Sequence, residues 1–434
     1  MKKLLEYINA NVLFKVANLN SITIGIKILA GLLTSKAIAV FIGAEGMALI
    51  GNLRNFLSAV QSFSIAGFYN GLVKYIGQYK DDVNTLSKTL STVFYLGFFT
   101  SILMSFVCYY NAHIINDFLF SESYNYAYVI EVLAIALPFY ALNMFSFSIM
   151  NGFSKYKILL IINIIGQILG LLITLLLIWQ DNIDGALIAV VITPSLIFLI
   201  TLVGILNRKN FISLVKITNM SSTILNKLSP YAIMAIVSSI AIPIVLILIR
   251  NYVISNVGIK AAGYWEAMNR ISEYYLMFIN SLMALYIIPR FAEIHTRSEF
   301  RKEVWNFYKS VMPVFAVMLV TIFLIRNVII NVIFTPEFRQ VESLFAWQIA
   351  GDFLRVLSMV IAYQFLAKKM FTHFIILEIF LFVILYFSSI YFIDLYGIQG
   401  AVIGHCFSYF LHFLIVLLLF SSSLFGVITE SDNT

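Results

Sequence analysis

The chain reads as an all-α protein that crosses a membrane many times. Three observations carry that reading: 61% of its 434 residues are hydrophobic and 11% charged, mean hydropathy is +0.94, and apolar runs of about 20 residues recur throughout. A spanning β-barrel needs short segments of alternating polarity. Residues 159–179 are instead predominantly apolar on both alternating faces, so their backbone is satisfied only within a helix. Residues 1–15 are polar and basic, and the apolar run that follows is long and lacks a small-residue cleavage site. The first helix is therefore expected to act as its own insertion signal.

Taken in order, the apolar runs predict twelve spans: 16–41, 47–73, 90–110, 126–150, 158–179 and 185–206, then 231–255, 264–288, 308–328, 344–366, 371–393 and 397–421. Charge asymmetry supports this count. Arg250, Lys260, Arg326 and Arg339 fall on or at the edge of one side, Lys27, Lys36, Arg54, Arg270 and Arg355 fall within helices, and every other Lys and Arg falls on the side of the N-terminus. The positive-inside rule puts that side, with both termini, in the cytoplasm. The net charge of +7 is thereby explained by topology and calls for no nucleic-acid partner. Cys108 and Cys406 lie in apolar runs at no metal or redox spacing, so neither a disulfide nor a metal site is expected.

The spans fall into two halves, 1–206 and 231–434, joined by a basic, partly amphipathic connector, 207–230, expected at cytoplasmic headgroups. The halves repeat. Ile183, Asp184, Gly185, Ala186, Leu187, Ile188 and Ala189 match Ile398, Gln399, Gly400, Ala401, Val402, Ile403 and Gly404 at four of seven positions, 215 residues apart. A weaker match relates Gly46, Asn52 and Arg54 to Gly263, Asn269 and Arg270. Six spans per half is an even number, so the repeats run parallel. Two six-helix bundles around a central cavity follow, an arrangement suited to one bundle rocking against the other.

Charge left inside the apolar helices marks the candidate site. At about 1.5 Å per residue, Lys36, Arg54 and Arg270 lie roughly 10–12 Å below their external turns. Asp352 and Arg355 share that level, and Glu266, Arg270 and Glu273 share one helical face. Ionisable groups at such depth must pair or face water, which makes them functional candidates. Glu266 with Arg270, and Asp352 with Arg355, are spaced either to neutralise each other or to present charge to a ligand. Lys36 and Arg54 have no acid in reach on their own helices, and Glu131 is the mid-helix acid of that half. Lys27 points away from Lys36 on an ideal helix, so a bend at Gly31 is needed to bring both to one cavity; otherwise Lys27 snorkels to headgroups. Glu378 reads as a proton site or as the partner of a cation on another helix.

Gly166 with Gly170, and Gly400 with Gly404, read as close-packing positions, and Pro194 and Pro243 as kinks. His405 and His412 suit either a packed polar core or a proton relay. Tyr264, Trp265, Tyr274 and Tyr275 suit either sugar stacking or interface anchoring. No nucleotide-binding loop, metal cluster or paired nucleophile and base is present in the sequence, so the function expected is transport rather than catalysis.

The stretch from Gly46 through Asn52, Leu53 and Arg54 to Tyr69, Asn70, Gly71, Leu72, Val73, Lys74 and Tyr75 resembles the second helix and following loop of the Wzx polysaccharide flippases, in particular the enterobacterial common antigen (lipid III) branch. Leu344, Phe345, Ala346, Trp347 and Gln348, with Gly351 and Asp352, resemble that branch's tenth helix, and Lys27 and Lys36 fall where its first helix carries lysines. The resemblance implies a MATE-like member of the multidrug/oligosaccharidyl-lipid/polysaccharide exporter superfamily in the bacterial inner membrane. Such a protein moves undecaprenyl-diphosphate-linked O-antigen or common-antigen units to the periplasmic leaflet, beside membrane lipids and with a polymerase and chain-length regulator as partners. On that basis Lys36, Arg54, Arg270, Lys27 and Arg355 are expected to bind the diphosphate or anionic sugars, and Glu266, Glu273, Asp352, Glu378 and Glu131 to gate or couple an ion. No cofactor is expected beyond a coupling H+ or Na+. The acidic tail from Glu430 departs from the basic end expected of the family. The rival is a cation-coupled multidrug antiporter of the same fold, against which the basic first half argues.

Overall fold

A computed structural model describes residues 12–206, 212–368 and 370–425. Residues 1–11, the connector's Arg208, Lys209 and Phe211, and the tail from Glu430 lie outside the described residues. The first half forms α1 (Val12–Phe41), α2 (Gly43–Ser64), α3 (Tyr69–Tyr79), α4 (Val83–Tyr110), α5 (Ala112–Phe120), α6 (Ala127–Gly152) and α7 (Tyr156–Leu206). Two 3-10 turns, Ile212–Leu214 and Ile217–Asn219, lead into α8 (Ser222–Asn256) and α9 (Ile259–Leu282). A π turn, Met283–Ile287, then joins α10 (Ile288–Glu293), followed by α11 (Arg297–Ser310), α12 (Met312–Leu324) and α13 (Arg326–Ile333). A 3-10 stretch, Pro336–Leu344, precedes α14 (Phe345–Ala367), α15 (Phe371–Tyr396), α16 (Ile398–Leu419) and α17 (Ser421–Phe425). No strand occurs among the described residues.

Ten described stretches are long and apolar enough to cross a membrane. One of them, Tyr156–Val203, holds two of the predicted spans, because Asp181 and Asn182 leave helical geometry and turn α7 back on itself. The polar α2 is not among the ten, although its 22 residues extend about 33 Å at 1.5 Å per residue.

The single span expected over 47–73 is corrected. α2 stops at Ser64 and α3 starts at Tyr69, because Ala66 and Gly67 both take left-handed φ, +48° and +64°. A Cβ on Gly67 would lie 2.6 Å from the Ala232 carbonyl oxygen, so the turn is packed as well as bent. Beyond it α3 is amphipathic, burying Leu72, Tyr75 and Ile76. The Asp82 carboxylate then caps α4 by accepting from the Asn84 and Thr85 backbone N–H groups, 3.1 Å each. Hydrogen bonding from Thr85, by side chain and backbone, holds that carboxyl below the usual carboxylate range.

The chain divides into two compact units, Met1–Ile42 with Leu49–Ile244, and Gly43–Ala48 with Val245–Thr434. In the first, the connector is pinned to α4. Ser87 Oγ donates to the Leu214 carbonyl at 2.5 Å, Asn219 Nδ2 to Ser87 Oγ at 2.7 Å, and the Lys216 and Ser221 backbone N–H groups to Ser91 and Thr92 at 3.0 Å. Ile224 and Leu228 of α8 complete the apolar cluster around Phe68, Leu72, Leu86 and Leu90.

The repeat seen in the sequence is a repeat of structure. Asn182 (φ 48°, ψ −115°) and Gly397 (φ 59°, ψ −137°) make the same turn, 215 residues apart. Three residues later Gly185 and Gly400 each meet a carbonyl eight residues back, where a Cβ would approach Leu177 O to 1.9 Å and Phe392 O to 2.0 Å. Gly170 against Thr193 and Gly404 against Ser389 continue the two seams, as the small-residue spacing predicts. Asn182 sits where its counterpart is glycine, in a conformation costly for a side chain. Asn182→Gly is therefore expected to stabilise the purified protein by about 1 kcal/mol, and Gly400→Ala to lower its thermal midpoint. Melting curves of the two variants against the parent check both.

Candidate functional site

In the first unit the motif Asn52, Leu53, Arg54 splits across α2. The Asn52 amide donates to the Leu119 carbonyl of α5 at 2.7 Å and is buried, as is Leu53. Arg54 follows two residues on, about 200° around the helix, and is exposed. Asn52 thus fixes the rotation of α2 and thereby the direction in which Arg54 points. On α1, Ser35, Ala37, Ile38 and Ala39 are buried; Lys36 among them is half-buried and Lys27 exposed. Glu131 of α6 is half-buried.

In the second unit charges pair across helices. Glu266 of α9 accepts from Arg250 Nη2 of α8 at 2.6 Å through one carboxylate oxygen and from Arg270 Nε at 3.1 Å through the other. The Arg250 guanidinium also lies 5.4 Å from the Trp265 ring centre. All three side chains are at most 8% exposed. Arg250, which the sequence places at or near the external edge, is 1% exposed and packed inside the unit. The triad carries one net positive charge, and the spacing of Glu266 and Arg270 is realised as an ion pair. Glu273, one turn further along α9, is exposed.

Asp352 of α14 is fully buried and draws its partners from other helices as well as its own. Its Oδ2 accepts from Ser272 Oγ of α9 at 2.6 Å, from the Tyr275 hydroxyl, and from Gln348 Nε2 at 3.2 Å. Its Oδ1 faces His405 Nε2 of α16 at 3.1 Å, and Gln348 Nε2 lies 3.4 Å from the same nitrogen. Gly351 makes this approach possible, since a Cβ there would fall 2.4 Å from the His405 ring and 3.0 Å from Cys406 Cα. Arg355 forms no ion pair with Asp352 among the described residues, so the neutralising alternative is not realised as contact. Its guanidinium instead lies 5.6 Å from the Tyr409 ring. Glu378 of α15 has its Oε2 buried with no hydrogen-bond partner among the described residues.

The second unit therefore brings Arg250, Glu266 and Arg270 into one cluster, and Ser272, Tyr275, Gln348, Asp352 and His405 into another. Arg250 and Gln348 were not singled out as site residues from sequence. The available signal was that Arg250 sits seven residues before the turn at Val257, as Lys36 does before Gly43. No group of three His, Cys, Asp or Glu side chains forms a metal site among the described residues.

A family model described as polysaccharide biosynthesis protein matches residues 38–343. The chain belongs to that family. Proteins named lipid III flippase from Escherichia coli (strain K12) and Shigella flexneri are each 27% identical over 391 residues, covering 89% of this chain and 93% of theirs. These findings bear out the resemblance carried by the α2 and α14 residues. Among solved structures, an inward-facing multidrug resistance MATE family transporter of the MOP superfamily matches with a TM-score of 0.78 at 14% identity, over 93% of this chain and 96% of that one. An outward-facing one matches with a TM-score of 0.70 at 15%, over 96% and 97%. These establish the expected all-α, MATE-like fold for this family member.

Removing one partner of a buried ion pair strands the other. Arg250→Met is expected to destabilise the protein by about 3–5 kcal/mol, and Arg250→Met with Glu266→Leu to recover part of that loss. Thermal unfolding of the single and double variants reads the difference.

Proposed function

We propose that this chain is a flippase that moves an undecaprenyl-diphosphate-linked oligosaccharide from the cytoplasmic to the periplasmic leaflet of a bacterial inner membrane, with both termini in the cytoplasm. The observation that carries the reading is the 27% identity to two lipid III flippases along nearly the full length of both chains. A diphosphate is an anion of the kind that guanidinium and ammonium groups hold through charge-assisted hydrogen bonds. Arg54 is the first residue assigned to it, because the buried Asn52 anchor fixes how its exposed side chain is presented. Lys36 assists from α1, whereas Lys27, nine residues earlier on the same unbroken helix, is left to headgroups. Arg270 is a candidate of its own within the second unit, with Glu266 and Arg250 holding its guanidinium in place.

Alternating access of the two units completes the cycle, and the isoprenoid tail stays in lipid throughout. The polysaccharide polymerase and chain-length regulator of the same assembly route are the protein partners in this reading. The multidrug alternative draws on fold likeness alone, at 14–15% identity, and the exposed cation of α2 suits an anionic cargo.

Expression of the chain in bacteria deprived of their own lipid III flippase is expected to restore common-antigen display. Arg54→Ala should abolish restoration at equal protein level, Lys36→Ala should lower it strongly, and Arg54→Lys should retain part. Full display from Arg54→Ala would remove the role assigned to that residue; drug efflux with no display would replace the reading.

A further inference from the structure

Two exposed lysines of the first unit are held by tyrosines rather than by acids. α3 crosses the start of α8 closely at Gly71, where a Cβ would lie 2.7 Å from the Leu228 side chain and 3.5 Å from Tyr231 Cβ. The helices run antiparallel there, so each end of the crossing pairs one lysine with one tyrosine. Lys74 Nζ of α3 donates to the Tyr231 hydroxyl of α8 at 2.5 Å and lies 4.8 Å from that ring's centre. Lys227 Nζ of α8 donates to the Tyr79 hydroxyl of α3 at 3.2 Å and lies 5.7 Å from that ring's centre. Tyr75 contacts both pairs: it stacks on Tyr79 at 5.7 Å, meets Tyr231 edge-on at 6.3 Å and donates to the Lys227 carbonyl at 3.3 Å.

Neither ammonium group meets a carboxylate among the described residues. The nearest acids along the chain are Asp81, which is exposed, and Asp82, which caps α4. A tyrosine ring and hydroxyl orient an ammonium group without supplying a counter-charge, so each lysine has two further N–H donors and an uncompensated charge to offer an anion. The Tyr79 hydroxyl, accepting from Lys227, also keeps its own O–H as a donor. The second unit treats its cations otherwise. Arg290, 216 residues on from Lys74, is answered by Glu293 at 3.6 Å and Glu303 at 3.5 Å; Lys368 is taken up by the Ala292 and Ile294 carbonyls, and Arg301 by the Ser423 carbonyl at 3.1 Å.

The place of the cluster along the spans says which anion reaches it. Two membrane-spanning stretches, Val83–Tyr110 and Ser222–Asn256, begin beside it: Tyr79 ends α3 four residues before the first, and Lys227 lies five residues into the second. At the same end Val83, Ile217 and Met220 are apolar and exposed, on α4 and on the connector pinned to it. Lysines and tyrosines beside exposed apolar side chains at the start of a span lie at the level of lipid headgroups.

We infer that Lys74 and Lys227, with the Tyr79 hydroxyl, form a binding site for the phosphate of an anionic phospholipid at the crossing of α3 and α8. The leaflet, cytoplasmic, rests on the topology proposed above; the site itself depends on neither that nor the cargo. The phosphate oxygens accept from the two ammonium groups and the phenol, and the acyl chains stay in the bilayer beside Val83, Ile217 and Met220. A lipid held there ties α3 to α8 and so braces the turn at Gly67, which packs on Ala232 of the same α8.

Native mass spectrometry of the full-length protein, released from detergent with phosphatidylglycerol or phosphatidylcholine added, tests the site. The parent is expected to retain phosphatidylglycerol in preference to phosphatidylcholine, and Lys74→Gln with Lys227→Gln to weaken that retention at least about tenfold. Lys80→Gln with Lys157→Gln removes the same charge from other exposed lysines of the unit and should leave retention unchanged. Tyr79→Phe keeps the ring and should weaken it about threefold. Equal retention by the parent and the Lys74 and Lys227 variant, an equal loss from the Lys80 and Lys157 control, or a parent indifferent to headgroup overturns the site. Should the Lys74 and Lys227 variant melt below the parent in phosphatidylcholine, Tyr79→Phe decides alone, and unchanged retention there overturns the site. Two competitors identify the source of the phosphate. Displacement of phosphatidylglycerol by an equal amount of inorganic phosphate would assign the site to a free anion, and displacement by an equal amount of undecaprenyl diphosphate would assign it to the cargo; either overturns the phospholipid assignment, and retention against both supports it.

Discussion

The helices of the second unit meet at glycines, and the polar chemistry of that unit is arranged around those contacts. In lipid, apolar surface gives no net drive for helices to associate, so packing and polar pairing carry the work. Gly351 lets α16 approach until His405 reaches Asp352, Gly400 and Gly404 seat α15 against α16, and Gly263 lies against the Ala44 backbone. Without these approaches Asp352 would be a buried carboxylate with fewer donors, a cost of several kcal/mol. Close backbone contact and polar satisfaction are therefore one constraint here.

The two units handle buried charge differently. In the second, charge is answered across helices: two guanidinium groups share one carboxylate, and a buried aspartate collects donors from three helices. In the first, the amide of Asn52 does the anchoring and the cation beside it is exposed. The neutral anchor sets the rotation of α2 beside that exposed cation. A closed triad keeps a guanidinium rigid and reduces its net charge.

Much of the fold was legible in the sequence because hydropathy and charge asymmetry report on the membrane directly. The repeat was legible because Gly185 and Gly400 tolerate no side chain, and the turn conformation of Asn182 and Gly397 confirms it. The Glu266–Arg270 pair was visible because both residues lie on one helix. The pairing of Arg250 was not visible because its partner, Glu266, lies across a turn on the next helix. The partners of Asp352 were misjudged for the same reason: Ser272, Tyr275 and His405 are 80, 77 and 53 residues away, and hydropathy carries no information on which helices touch. The break between α2 and α3 has no proline to announce it. Ala66 and Gly67 supply left-handed backbone without changing the apolar character of the run.

The account turns on the exposed cation of α2 meeting a diphosphate. Binding of undecaprenyl diphosphate, without sugars, to the purified protein and to Arg54→Ala across a range of salt concentrations tests that most directly. The account predicts salt-sensitive binding that weakens at least about tenfold in the variant, the loss of one strong charge-assisted contact. Equal affinity in parent and variant, or binding indifferent to salt, would contradict it.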